Sequence, residues 1–290
     1  DVMDVRLEVS ARNPKATEPY MSTINWKNDP ERKPLILRGA RQVGKTWLMK
    51  EFGQTCYANY VYFNFDEEDE LKSIFQANKN PHRIIELLSM ISGEKIQPGE
   101  TLILFDEIQE CPEALNTLKY FKEKANEYHV VSAGSLLGTI LAQPKSYPVG
   151  MVNLLDIFPL TFDEFLEATD PALYTYYDSI QKEQTIEEIF HSRLSEACNY
   201  YFIIGGMPEC VSSWIKYKDP ARISQIQREL IEIYENDFSK HNGKINSGRF
   251  PSRHMQSQTS CQDPSLPHQN PYSGGNRRPL PYTDSGLHSL

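Results

Sequence analysis

The chain has 290 residues, of which 39% are hydrophobic and 24% are charged. These proportions are ordinary for a globular protein, and the length suffices for one large domain or two smaller ones. The net charge of −9 excludes a generally basic surface over the whole chain, although a local basic patch stays compatible with it. Because binding to nucleic acid needs positive charge, the sequence does not support a nucleic-acid partner.

The cysteines and the hydropathy pattern limit the cellular setting. The five cysteines are scattered and form no CxxC pair, which argues against a structural zinc site and against a disulfide framework. No apolar run reaches the roughly 18 residues of a membrane span, and the N-terminus lacks the apolar region of a secretory signal. We therefore predict a cytoplasmic protein with no membrane partner.

Strands and helices are predicted to alternate over residues 24–160, after a weakly patterned N-terminal segment, 1–23, and with a short helix ending near Trp26. Apolar runs predict strands, and helical periodicity predicts the helices between them, with Ile84, Leu87, Leu88 and Ile91 on one helix face. Such alternation implies an α/β fold with a parallel, helix-covered sheet. The predicted strands are 34–38, 60–65, 101–105, 129–133 and 151–160, and the predicted helices are 44–53, 68–77, 81–92 and 112–125.

Residues 161–240 are predicted to be mostly helical. Thr161 and Glu164 have the spacing of a capping box, further helices are predicted over 185–198 and 219–240, and the residues 203–208 between them have the composition of a loop. We interpret 161–240 as a lid-like segment or as the start of a second domain.

The composition changes abruptly at residue 241. Residues 241–290 contain no glutamate, six prolines, eight serines and four of the seven histidines. Neither helical periodicity nor strand alternation continues there. Because such a segment buries too little apolar surface to offset the entropy of ordering, we predict a disordered tail.

The strongest motif follows the first predicted strand and opens the next helix. It reads Gly39-Ala40-Arg41-Gln42-Val43-Gly44-Lys45-Thr46, a match to G-x-x-x-x-G-K-[ST]. In such a P-loop the glycines allow successive amides to surround phosphate, and the helix N-terminus adds positive potential. We expect these eight residues and Trp47 to bind ATP, with Lys45 on the β- and γ-phosphates and the Thr46 hydroxyl on Mg²⁺.

A second motif places two carboxylates directly after an apolar strand. Asp106 and Glu107 follow Leu102–Phe105, at the strand end where ligands bind in open α/β sheets. We expect Asp106 to hold Mg²⁺ through water and Glu107 to orient or deprotonate the attacking water. We also expect this strand to be adjacent to the P-loop strand. The alternative is an acidic turn of the kind that often ends a strand.

Serines and arginines near the same strand ends are further candidates. Ser135, or failing that Ser132, could contact the γ-phosphate or the water, and a helix cap or turn is the alternative. Arg38 and Arg41 flank the P-loop, and each could contact phosphate or pair with a surface carboxylate. An arginine could also act on the nucleotide of a neighbouring subunit. The candidates are Arg193, Arg222 and Arg228, and the sequence favours none of them.

Five sequence blocks together resemble a prokaryotic family of AAA-like P-loop ATPases with a C-terminal domain of unknown function. The blocks are Arg38–Thr46, Leu104–Pro112, Ala133–Gly138, Phe158–Leu166 and Gly205–Glu209. The resemblance implies an AAA-type sheet, ATP with Mg²⁺, and the roles given above for the P-loop, Asp106 and Glu107. Members of the family continue past the position of residue 241 into a folded domain, so we predict that 241–290 is a frameshifted read or an artefact of gene prediction.

Three functions are compatible with the sequence. The first is Mg²⁺-dependent ATP hydrolysis that drives a conformational change, as a homo-oligomer or with a protein partner. The second is a nucleotide-gated binding switch with little hydrolysis of its own. The third is an inactive truncated product with exposed apolar surface.

Overall fold

The structure, a computed structural model, describes residues 18–135, 150–181 and 185–241. The predictions for residues 1–17 and for the tail after residue 241 lie outside this part of the chain. Within it, the α/β fold predicted from the sequence is confirmed.

Five parallel strands form one sheet in the order β2-β3-β4-β1-β5. The P-loop follows β1 and the two carboxylates end β3, and β4 lies between these strands. The prediction that the two strands are adjacent is therefore wrong, because strand order depends on long-range packing that no local pattern records. The strands are β1, Leu35–Arg38; β2, Asn59–Asn64; β3, Thr101–Asp106; β4, His129–Gly134; and β5, Asn153–Asp156.

Ten α-helices are assigned within the described residues, together with one short 3-10 helix, Ile108–Glu110, directly after Glu107. Their positions agree with the predicted helical segments, and two short helices after residue 170 were not predicted individually. They are α1, Glu18–Asn28; α2, Lys45–Cys56; α3, Asp69–Ala77; α4, Pro81–Ser92; α5, Pro112–Lys124; α6, Phe162–Thr169; α7, Pro171–Asp178; α8, Glu188–Ile204; α9, Pro208–Tyr217; and α10, Pro220–His241.

The two faces of the sheet pack into separate hydrophobic clusters. On β3, Leu102 and Leu104 join the cluster that contains α2, whereas Ile103 and Phe105 join the cluster that contains α3, α4 and α5. Successive strand residues point to opposite faces, so a strand covered on both sides must be apolar throughout. This explains the uninterrupted apolar run before Asp106, and it places β3 in the middle of the core.

The helix face predicted for α4 is only partly correct. Ile84 and Leu88 are buried, as predicted, and Ile85 is buried with them, whereas Ile91 is exposed. Gly93 ends this helix in the left-handed conformation, which places Ile91 in its last turn, where the packing against α5 ends.

The helices after residue 160 form a third cluster of their own. Phe165, Val211 and Trp214 are among its buried residues. Thr161 caps α6 through the predicted capping box, in which Glu164 hydrogen-bonds back to the Thr161 amide. The predicted loop at 203–208 is shorter than expected, because α8 extends to Ile204 and α9 begins at Pro208.

Candidate functional site

The loop between β1 and α2 is held in a conformation that only some residues adopt. Gln42 and Gly44 have φ angles of 61° and 93°, both in the left-handed region. A Cβ atom on Gly39 would lie 2.1 Å from the carbonyl oxygen of Ile157, so that position also requires glycine. Alternation of left-handed residues with ordinary ones turns successive amides toward one side, which creates an anion-binding concavity.

Lys45 extends back across this loop. Its Nζ donates to the carbonyl oxygens of Gly39 at 3.0 Å and Ala40 at 2.6 Å. The residue is only 6% exposed, and burial lowers the pKa of its ammonium group, while the carboxylates of Glu107 and Asp106 oppose that shift. Two backbone carbonyls therefore satisfy the buried cation, and a phosphate group would offer it stronger, charged acceptors.

Asp106 connects three elements of the sheet edge. Its Oδ2 accepts from the Thr46 hydroxyl at 2.6 Å and from the Tyr62 hydroxyl at 2.9 Å, and its Oδ1 accepts from the Glu107 amide at 3.0 Å. The carboxylate is buried, so these donors offset the cost of removing it from water. The P-loop helix and β3 meet here although β4 separates their strands.

Glu107 has an unusual backbone conformation, with φ 48° and ψ 44°. A left-handed conformation is uncommon in a non-glycine residue and costs on the order of 1 kcal/mol or more. Its side chain accepts a hydrogen bond from Gln109. Burial raises the pKa of the Glu107 carboxyl above its ordinary value, and the hydrogen bond from Gln109 acts in the opposite direction.

A cavity of about 560 Å³ lies over the P-loop and is closed on one side by the helical segment. A volume of this size is ordinary for a small-molecule site. The P-loop and β3 form one wall, and α9 and α10 contribute Pro208, Glu209 and Ile233. In addition, the Tyr234 hydroxyl donates to the Arg41 carbonyl oxygen at 3.0 Å. The described lining residues are Arg41, Gln42, Gly44, Lys45, Thr46, Trp47, Glu107, Pro208, Glu209 and Ile233.

The start of α9 is positioned by a close backbone approach at Gly206. A Cβ atom there would lie 2.0 Å from the Leu160 carbonyl oxygen, and the Leu160 amide donates to the Gly206 carbonyl at 2.7 Å. The Tyr201 hydroxyl donates to the same Leu160 carbonyl at 2.8 Å. This contact joins the segment after β5 to the turn before Pro208 and so places α9 beside the P-loop.

Several other residues that the sequence suggests for the site are not among the described residues that line this cavity. Val43 is fully buried in the core cluster of α2, and the Ser132 and Ser135 hydroxyls are buried without a hydrogen-bond partner in the described part of the chain. Neither serine is among the described residues that line the cavity. Arg38 pairs with Asp156 on β5, where its Nη2 lies 2.8 Å from Oδ2, as in the carboxylate alternative.

Two of the three arginines considered for a neighbouring subunit have contacts within the chain. Arg193 forms an ion pair with Asp170 at 2.6 Å, and the Arg222 guanidinium lies 3.9 Å from the centre of the Tyr217 ring. Within the part of the chain that the structure describes, neither an ion pair nor a ring contact is found for Arg228. The role of these residues therefore stays a prediction.

Sequence reasoning missed the residues that support the site from other elements. Tyr62, Gln109, Glu209 and Tyr234 carry no motif by themselves. Two of them lie in blocks that carry the family resemblance, Gln109 in Leu104–Pro112 and Glu209 in Gly205–Glu209, but neither residue is predicted to have a role at the site.

Comparison with known families agrees with this geometry. Residues 31–166 match a family described as "AAA domain", and these residues include the P-loop, Asp106 and Glu107. This part of the chain is therefore similar to AAA domains. Residues 195–256 match a second family, described as "Domain of unknown function (DUF8612)". This second match covers most of α8 with all of α9 and α10, and it continues past the composition change at residue 241.

Solved structures resemble this chain only loosely, and no curated protein matches it. "Structure of C. elegans PCH-2" has 12% identity and a TM-score of 0.38, over 80% of this chain and 67% of that one. "Structure of Drosophila ORC bound to DNA" has 14% identity and a TM-score of 0.43, over 83% of this chain and 72% of that one. Within the described residues, no helix is long and apolar enough to cross a bilayer.

The Gly206 contact predicts a specific effect on ligand binding. Gly206→Ala should displace α9 from the cavity, because the new Cβ would meet the Leu160 backbone, which cannot move away as a side chain could. We expect nucleotide affinity to fall at least about tenfold, measured by calorimetry, as for loss of one or two good contacts.

The control is Gly93→Ala, which makes the same substitution at the end of α4 with nothing within 4 Å of the new Cβ, at a φ of 70° that favours glycine. It should lower stability slightly and leave affinity unchanged. Equal affinities for the Gly206→Ala and native proteins would show that the contact does not position α9.

Proposed function

We propose that this protein binds ATP with Mg²⁺ in the cavity over the P-loop and hydrolyses it to drive a movement of the helical segment. The observation that carries the proposal is that Lys45, Thr46 and Glu107 line one cavity, with the Thr46 hydroxyl hydrogen-bonded to the buried Asp106. These are the groups that phosphoryl transfer requires, because such catalysis consists mostly of positioning and charge stabilisation.

The residues present suit a magnesium ion shared with phosphate. The Thr46 hydroxyl and the Asp106 carboxylate are hard oxygen ligands 2.6 Å apart, and Mg²⁺ in such sites keeps water and takes phosphate oxygens. Among the described residues no group of three or more His, Cys, Asp or Glu could hold a metal ion. When bound, the ion would neutralise charge on the β- and γ-phosphates.

Lys45 and Glu107 have separate tasks in the proposed reaction. Lys45 exchanges its two carbonyl acceptors for phosphate oxygens and holds the triphosphate. Glu107 orients a water whose oxygen forms a bond to the γ-phosphorus while the bond to the β-phosphate oxygen breaks. The proton of that water passes to Glu107 or to phosphate, and ADP and inorganic phosphate leave.

A nucleotide-gated switch is the second candidate, and one observation favours it. The Glu107 side chain is bound by Gln109 and its backbone is in the left-handed conformation. The carboxylate of the proposed base is thus engaged by Gln109, and the docking of a partner could release it. In that case the protein would bind ATP but turn it over slowly until another subunit or protein docks.

We propose that the protein is cytoplasmic, because of the state of its cysteines. The cysteines of the described chain, Cys56, Cys111, Cys198 and Cys210, are free thiols, which agrees with a reducing cytoplasm.

The described cavity lining contains Arg41 from the P-loop itself. We propose that a further arginine comes from a second copy of the chain or from a protein partner.

Removal of the P-loop lysine tests nucleotide binding. Lys45→Ala should weaken ATP binding about ten- to a hundredfold in calorimetry, because charge-assisted hydrogen bonds to phosphate are lost. Lys95→Ala removes the same charge from an exposed position outside the cavity and should have no effect. Native affinity in Lys45→Ala would refute the proposed site.

Replacement of Glu107 tests hydrolysis separately from binding. Glu107→Gln should keep ATP affinity and lower turnover about 10²- to 10⁴-fold, the usual contribution of a positioned base. Because burial raises the pKa of Glu107, native turnover should fall with decreasing pH at a higher pH than an ordinary glutamate would give.

This acid limb should be absent from the residual rate of Glu107→Gln, since the amide does not titrate. Glu127→Gln is an exposed control on the loop before β4 and should retain the native profile. A native rate in Glu107→Gln would assign the base elsewhere, and native-like ATP binding without measurable turnover in the wild-type protein would favour the switch.

A further inference from the structure

The two walls of the cavity differ in chemistry. The P-loop wall carries the Lys45 ammonium group, the Thr46 hydroxyl and the Glu107 carboxylate, groups suited to phosphate and metal. The wall from the helical segment consists of two apolar residues, Pro208 and Ile233, with one charged residue, Glu209. A wall that is mostly apolar with a single placed polar group is the usual pattern for recognition of a ligand's organic part.

Glu209 has no partner of its own within the described part of the chain. No hydrogen bond or ion pair there engages its carboxylate, although Lys216 and Arg222 line an adjoining cavity that Glu209 also borders. An ionised carboxylate only accepts hydrogen bonds, so a ligand that displaces water from it must supply donors.

Charge decides which part of a nucleotide can supply them. Phosphates carry negative charge and no donors, so contact with Glu209 would be repulsive in a partly buried site. The ribose hydroxyls and the exocyclic amino group of adenine are neutral donors. The position of Glu209 on the apolar wall agrees with a contact to this half of the molecule.

The backbone gives this carboxylate a defined position. Glu209 is the second residue of α9, and the close approach of Gly206 to Leu160 anchors the turn that precedes it. A group held on a helix loses little entropy on binding, and this favours a role in recognition. An acidic residue in a first helical turn also stabilises the helix dipole, and that purely structural role is the competing explanation.

We infer that Glu209 accepts hydrogen bonds from the nucleoside half of the bound nucleotide and determines which nucleotides the cavity prefers. The inference rests on the proposed function, because it requires ATP in this cavity. The donor is a ribose hydroxyl or the adenine amino group, and both present the same neutral donor chemistry to the carboxylate.

The test is calorimetric binding of four ligands to the full chain. They are ATP, 2′-deoxy-ATP, 3′-deoxy-ATP and purine riboside triphosphate, which lacks the amino group. Each is titrated into wild type, Glu209→Gln and Glu209→Ala. The matched control is Glu229→Gln, which makes the same change in the adjoining cavity only. Thermal unfolding without nucleotide reports any loss of folding.

We expect both Glu209 variants to weaken ATP binding about tenfold or more, as for loss of a hydrogen bond to a charged group. For the analogue that lacks the donor, wild type and variant should bind alike, which identifies the ribose or the base as its source. Glu229→Gln should match wild type with every ligand.

Three results would overturn the inference while leaving the proposed function intact. The first is an unchanged ATP affinity in both variants. The second is an equal weakening of binding for all four ligands, which would indicate the structural role of Glu209 at the helix dipole. The third is tighter ATP binding in the variants, which would place Glu209 beside phosphate. Failure of the wild-type protein to bind ATP at all would overturn the proposed function together with the inference.

Discussion

The buried carboxylate of Asp106 is the constraint on which the rest of the site depends. A carboxylate that is only 4% exposed must be satisfied by donors, and here they come from α2, from β2 and from the following peptide. This requirement brings the first turn of α2 across β4 to the end of β3. The same oxygens suit a hard metal ion, so the polar cluster that closes the sheet edge is also the proposed Mg²⁺ site.

Much of the fold was predictable because its signals are local. The P-loop needs glycine at defined positions, β3 must be apolar because both of its faces are covered, and the Thr161 capping box specifies the start of α6. The order of the strands was not predictable in the same way. The strand order arises from packing between distant segments. The sequences of β1 and β3 contain no local signal that β4 lies between them.

The residues of the site also fall into those that local motifs predict and those that depend on long-range contacts. Lys45, Thr46, Asp106 and Glu107 lie where their motifs place them, since each motif encodes a strand end and a turn. The contributions of Tyr62, Gln109 and Tyr234 depend on contacts across 44, 2 and 193 residues of sequence, and the longer ones have no local signal. Through the hydrogen bond from Tyr234 to the Arg41 carbonyl oxygen the helical segment contacts the P-loop, so a change at that carbonyl can reach α10 directly.

The most direct test of this account is the effect of Mg²⁺ on ATP affinity in wild type and in Asp106→Asn, measured by calorimetry with and without the metal. If Thr46 and Asp106 hold the ion, Mg²⁺ should tighten ATP binding to wild type at least about tenfold and have little effect in the variant, because a charge-assisted ligand is lost. Asp69→Asn, at an exposed position on α3, should behave as wild type. An equal gain from Mg²⁺ in Asp106→Asn and wild type would contradict the account.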